Sequence, residues 1–109
     1  MTLTRDFKET VKERVQQDPA FAAALLNEAI ELFINGEPET ARLILRDLVN
    51  TTVGFEELAL QTAKPSKSLH RMLSARGNPT MDNLTAIVDV LRKTLRVNLQ
   101  VTTISSVKF

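Results

Sequence analysis

Between positions 64 and 76 the chain carries Lys64, Lys67, Arg71 and Arg76 with no acid among them, and Ser66 and His70 stand in the same stretch. Side chains of these types hold anions. Lys67 and Arg71 are four residues apart and so share one face of a helix, with Ser66 and His70 beside them. A guanidinium fork meets guanine O6 and N7 together, which suits Arg71 to a base edge; Lys67 reaches either a base or a phosphate. Lys64 and Arg76 flank the helix and are placed for phosphates. Plainer roles stay open for three neighbours: Ser66 as a helix cap, Ser68 as packing against the preceding helix, and His70 as solvated surface. A run of cations is itself often no more than a solvated face.

Catalytic chemistry has little to stand on. The chain has one histidine and no cysteine, and it shows neither a glycine-rich phosphate loop nor a histidine pair at metal spacing. Ser66 and His70 can touch across a helical turn, but no acid lies close in sequence to orient the imidazole, and the site would be convex. The expectation is a protein that is not an enzyme, with no catalytic residue, metal or cofactor. Lack of cysteine also removes disulfides and suits a reducing compartment. There is no run of 18 apolar residues, and the charged start MTLTRDFKET lacks the apolar segment of a signal peptide. A cytoplasmic protein without membrane association is expected.

At 109 residues, with 43% hydrophobic and 25% charged content, the chain is long enough for one core and short for two, so residues 1–109 are expected to form a single domain. The net charge of +1 hides a split. Residues 1–54 hold 6 Lys/Arg against 9 Asp/Glu, whereas residues 55–109 hold 8 against 4, so the positive field belongs to the second half.

The elements that must position these cations follow from periodicity and punctuation. Phe7, Val11 and Val15 recur every four residues and predict a short helix over 5–17. Asp18-Pro19 is a start signal for a second helix, whose buried face is Phe21, Leu25, Leu26, Ala29, Ile30 and Phe33; Asn35-Gly36 ends it. Pro38 opens a third, burying Ala41, Ile44, Leu45 and Leu48 and closing over 50–54. The stretch 55–91 then has the layout of a helix-turn-helix with a bracing helix. A helix with Leu58 and Ala59 breaks at Ala63-Lys64-Pro65, and a reading helix over 66–74 buries Leu69, Met72 and Leu73. Gly77-Asn78 ends that helix, and Thr80 caps a further one facing the core with Met81, Leu84, Ile87, Val88 and Leu91. After Leu95 the period becomes two: Val97, Leu99, Val101 and Thr103 alternate with polar residues, which is strand chemistry. The predicted fold is therefore all-α, a helix-turn-helix domain of about five to six helices with a short C-terminal β-strand. A lone strand has no partner within the chain, so it either pairs with a second copy or accepts another protein's strand; the simplest expectation is that residues 96–103 pair across a twofold axis, with Val97, Leu99 and Val101 covering Leu84, Val88 and Leu91.

DPAFAAALLNEAI, ETARLILRDLV, FEELALQTA, SLHRMLSARGNPT and LTAIVDVLRKTLRVNLQV together resemble the addiction-module antidote proteins, the HigA-like antitoxins with a Cro/C1-type helix-turn-helix. The likeness covers roughly residues 18–101 and is most specific at Leu69-His70-Arg71-Met72-Leu73-Ser74 and Gly77-Asn78-Pro79-Thr80. It implies a repressor that binds double-stranded DNA at its own operator as a homodimer and neutralises a small RelE-type toxin, a ribonuclease encoded beside it. The acidic N-terminal half, with Asp18, Glu28, Glu31, Glu37 and Glu39, offers ground to such a cationic partner.

Members of that family usually carry glycine where this chain has Ala63 and serine where it has Pro65. A left-handed Ala63 would cost about 1 kcal/mol. Two geometries of the turn are open: Pro65 begins the reading helix with Lys64 as its cap, or Ser66 caps and the helix starts one residue later. Glu56-Glu57 at the start of the first helix of the pair would repel phosphate lying against it. That favours a second function, the same fold serving as a protein-interaction module without DNA binding.

Overall fold

Proline and glycine mark most of the joints along the chain. The computed structural model describes residues 18–106, and in them five helices succeed one another: α1 (Pro19–Ile34), α2 (Pro38–Thr51), α3 (Phe55–Thr62), α4 (Ser66–Met72) and α5 (Met81–Leu95). The helix expected over 5–17 lies outside the described residues. At the start of α1 the Asp18 carboxylate accepts from the N–H groups of Ala20 at 3.1 Å and Phe21 at 3.4 Å, while Pro19 occupies the first turn, where no N–H is needed. The helix ends at a left-handed Gly36, φ +90°, around which the Glu37 N–H reaches back to the Leu32 carbonyl at 2.8 Å. Three residues then separate α1 from α2, and the two pack as a helical hairpin.

One core joins all five helices. Ala22, Leu26 and Ala29 of α1 meet Leu45, Leu48 and Val49 of α2, Phe55 and Leu58 of α3, Leu69 of α4 with Leu73 just beyond it, and Ile87, Val90 and Leu91 of α5. Among the described residues, the apolar positions expected at the spacing of three and four are buried or half-buried, with one exception. Met81 is 77% exposed rather than core-facing. It is the first residue of α5, immediately after the Thr80 cap, whose hydroxyl accepts from the Asn83 N–H at 3.1 Å. The buried face begins only at Leu84.

The C-terminal strand is corrected as well. Among the described residues there is no strand, and residues 98–104 make no backbone hydrogen bond. The segment leaves α5 through a left-handed Arg96, φ 60°, with the Val97 N–H closing onto the Arg92 carbonyl at 3.0 Å. This turn brings Val97 and Leu99 against the core, but Val101 is 67% exposed instead of covering α5. An alternating sequence forms a ladder only where a second strand supplies the opposite donors and acceptors, and nothing else within residues 18–106 does so. No helix among the described residues is long and apolar enough to cross a membrane.

Candidate nucleic-acid interface

The geometry of the α3–α4 pair is set at Ala63. This residue is left-handed, φ 56° and ψ 38°, and the N–H groups of both Ala63 and Lys64 turn back onto the Ala59 carbonyl, the latter at 3.2 Å. The chain thus takes the conformation that glycine would take most easily, at about 1 kcal/mol. The start of α4 departs from both expected geometries. Pro65, extended at φ −64° and ψ 139°, is itself the residue before the helix, Ser66 is the first helical residue, and no side chain caps α4. Proline has no side-chain oxygen to offer, and Ser66 sits one position too late to serve as a cap.

Within α4, Leu69 is fully buried and Met72 is half-buried; Leu73, just past its end, is also fully buried. Lys67, His70 and Arg71 stand exposed on the other side, Ser66 and Ser68 are half-buried, Lys64 is half-buried in the preceding turn, and Arg76 is exposed in the loop beyond the helix. No carboxylate among the described residues pairs with Lys64, Lys67, Arg71 or Arg76. The contrast with α5 is direct. There Asp89 holds Arg92 at 2.7 Å and Lys93 at 2.9 Å, and hydrogen bonds from Lys93 first and Arg92 second keep its carboxyl below the usual carboxylate range. The positive field of the second half is therefore partly cancelled on α5 and left open around α4.

His70 is not a free-standing side chain. Its ring stacks on Phe55, the first residue of α3, with centroids 3.8 Å apart and planes 19° from parallel. Phe55 is buried beneath it. The imidazole therefore braces α4 against α3 through one face while the residue stays exposed, an arrangement that neither a DNA contact nor a solvated surface role anticipated.

The far end of α4 is held by a residue that sequence reasoning passed over. Arg42 of α2 donates from Nε to the Ser74 carbonyl at 2.9 Å and from Nη2 to the Ala75 carbonyl at 2.7 Å. Ser74 in turn donates from its hydroxyl to the Arg71 carbonyl at 2.8 Å, and the Gly77 N–H closes onto the Ser74 carbonyl at 3.1 Å. The helix ends at Met72, several residues before the Gly77-Asn78 pair expected to stop it. Gly77 is not left-handed. It is needed because a Cβ there would lie 2.2 Å from the Met72 carbonyl oxygen and 2.6 Å from that of Arg71. In the sequence, the one sign of Arg42's role is a cation directly beside the buried stripe of Ala41 and Leu45; its partners lie 32 and 33 residues away.

The arrangement presents a convex, cationic helix with an apolar back, fixed at both ends and suited to lying in a groove of a polyanion. Glu56 and Glu57 are exposed at the start of α3, and the Glu57 carboxylate accepts from the Gln61 side chain at 2.9 Å. A separate groove of about 530 Å³ lies between α1 and the C-terminal segment, lined by Ile30, Glu31, Ile34, Leu99, Val101 and Ile104 among others. No family model, curated protein or solved structure matches this chain.

Proposed function

We propose that the protein is a cytoplasmic, sequence-specific DNA-binding regulator that reads double-stranded DNA with α4, and that it acts as the antitoxin of a type II toxin–antitoxin module. The observation that carries the DNA assignment is the unpaired cation set Lys64, Lys67, Arg71 and Arg76, placed along and around a helix whose opposite face is buried. Arg71 meets a base edge, Lys67 a base or phosphate, and Lys64 and Arg76 grip the backbone on either side. Ser66 and His70 border the same face, with His70 also holding the angle between the two helices.

A homodimer completes this function. A twofold pair of readers must be spaced by about one DNA turn, roughly 34–36 Å. The open backbone of residues 98–104 supports antiparallel pairing of that segment between two copies. The toxin partner rests on the family resemblance and on exposed Glu28, Glu31, Glu37 and Glu39 in the first half of the chain, which suit a basic RelE-type protein. Asp18 takes less part, since its carboxylate is engaged as a helix cap.

A second function has its own support. The exposed acids Glu56 and Glu57 and the 76% exposed Leu60 lie on the helix that would sit nearest the phosphates, and they favour a protein-interaction module that does not bind DNA. Selection from a random duplex library separates the two. The regulator enriches a sequence, and a Lys67→Ala/Arg71→Ala double variant fails to bind it; an interaction module enriches nothing.

A further inference from the structure

We infer that Arg42 is a positioning residue for DNA discrimination: without touching DNA, it sets the pitch of α4 by clamping the turn at its C-terminal end. This inference rests on the proposed reading of DNA by α4. The clamp lies between two different parts of the molecule. Arg42 belongs to the α1–α2 scaffold, which carries none of the candidate DNA contacts, whereas Ser74 and Ala75 lie between Arg71 and Arg76, which carry two of them.

Four features argue that this is a built joint and not an incidental surface contact. Both donors of one face of a rigid guanidinium fork are used, at 2.9 and 2.7 Å, on two successive carbonyls, a geometry that a lysine ammonium cannot reproduce. The side chain is half-buried, and the bond from Nε to the Ser74 carbonyl is partly shielded from water, while that to Ala75 is exposed. The acceptors lie just past the C-terminus of α4, where the helix dipole favours a cation. The turn they belong to is closed so tightly that residue 77 has no room for a Cβ.

The consequence concerns direction more than strength. Phosphate contacts tolerate small displacements of flexible lysines and arginines, but a bidentate base contact does not. If the clamp is lost, the cations remain and non-specific attraction survives, while the Arg71 fork no longer meets its base at the right angle. Other elements still hold α4 near its place: Leu69 and Leu73 in the core, the His70–Phe55 stack in its last turn, and the turn at Ala63 that precedes it.

The test uses the full chain with Arg42→Met and Arg42→Lys. Two measurements are made: amide hydrogen exchange over residues 69–77, and fluorescence anisotropy on two duplexes at matched salt. One duplex is the sequence that the wild-type protein enriches from a random library; the other is a scrambled version of it. The inference predicts faster exchange at Gly77 in Arg42→Met. It also predicts a loss of about 10- to 100-fold in affinity for the enriched duplex, the equivalent of one charged hydrogen-bond interaction, with less than about twofold change on the scrambled one. Arg42→Lys, which keeps the charge but lacks the rigid planar fork, falls between. Unchanged exchange in Arg42→Met overturns the clamp itself, whether or not the chain binds DNA. A looser turn with equal losses on both duplexes overturns the positioning role and leaves DNA binding intact. A wild-type chain that enriches no sequence removes the DNA function, and the positioning role with it.

Discussion

Replacing Gly77 by alanine is expected to be far more costly than the same change at Gly36, although Gly36 is the residue with the unusual backbone. At Gly36, φ is +90° and nothing lies within 4 Å of an added Cβ, so the cost is conformational alone, about 1 kcal/mol. Gly77 has an ordinary φ but no room. Its added Cβ would stand 2.2 Å from the Met72 carbonyl oxygen, and real Cβ atoms keep at least 3.0 Å. That oxygen is a backbone atom in the last turn of α4, between the fully buried Leu69 and Leu73, and not the far end of a flexible side chain. Overpacking of this kind costs up to about 3 kcal/mol. For a domain of this size each kcal/mol lowers Tm by roughly 4 °C, so Gly36→Ala should lose about 4 °C and Gly77→Ala about 12 °C in a calorimetric scan. Equal losses, or a Gly77→Ala protein melting within about 2 °C of wild type, would refute the packing argument.

Ala63→Gly should raise stability by a few tenths to about 1 kcal/mol, because relief of the left-handed alanine exceeds the added freedom of the unfolded chain; a lower urea midpoint would contradict the turn geometry. Asp89 should contribute stability above its ordinary value of 3.8 and lose that contribution as pH falls through its lowered folded value, so Asp89→Asn should flatten the acid limb of stability against pH below about 4. An unchanged acid limb in that variant would show that the contacts to Lys93 and Arg92 do not matter to folding.

What could be read from the chain in advance was what depends on neighbours in sequence. Asp18-Pro19, Asn35-Gly36, Pro38 and Thr80 each act on backbone groups within four residues, and each marks an observed helix boundary. The apolar faces of α1, α2 and α5 were legible for the same reason, since a helix repeats every three to four residues. Features set by distant partners were not. Arg42 depends on carbonyls 32 and 33 residues away, and the His70–Phe55 stack on how α3 and α4 cross. Arg96 takes a left-handed turn usually given to glycine, and no local signal distinguishes it. The alternation after Val97 is real, but a ladder needs a second strand, and its absence within residues 18–106 left that segment without one. Of the candidate DNA contacts, the exposure of Lys67, Arg71 and Arg76 was foreseeable from the face they share or flank; the half-burial of Lys64 in the turn was not.

The most direct test of DNA reading by α4 compares Arg71→Ala and Lys64→Ala on the library-enriched duplex across a series of salt concentrations. Arg71→Ala should cost ~1–3 kcal/mol on that duplex and relax the preference at one base position. Lys64→Ala should weaken all duplexes about equally and reduce the salt slope by about one phosphate contact. Binding by wild type that is insensitive to salt and unchanged in both variants would contradict DNA reading by this helix.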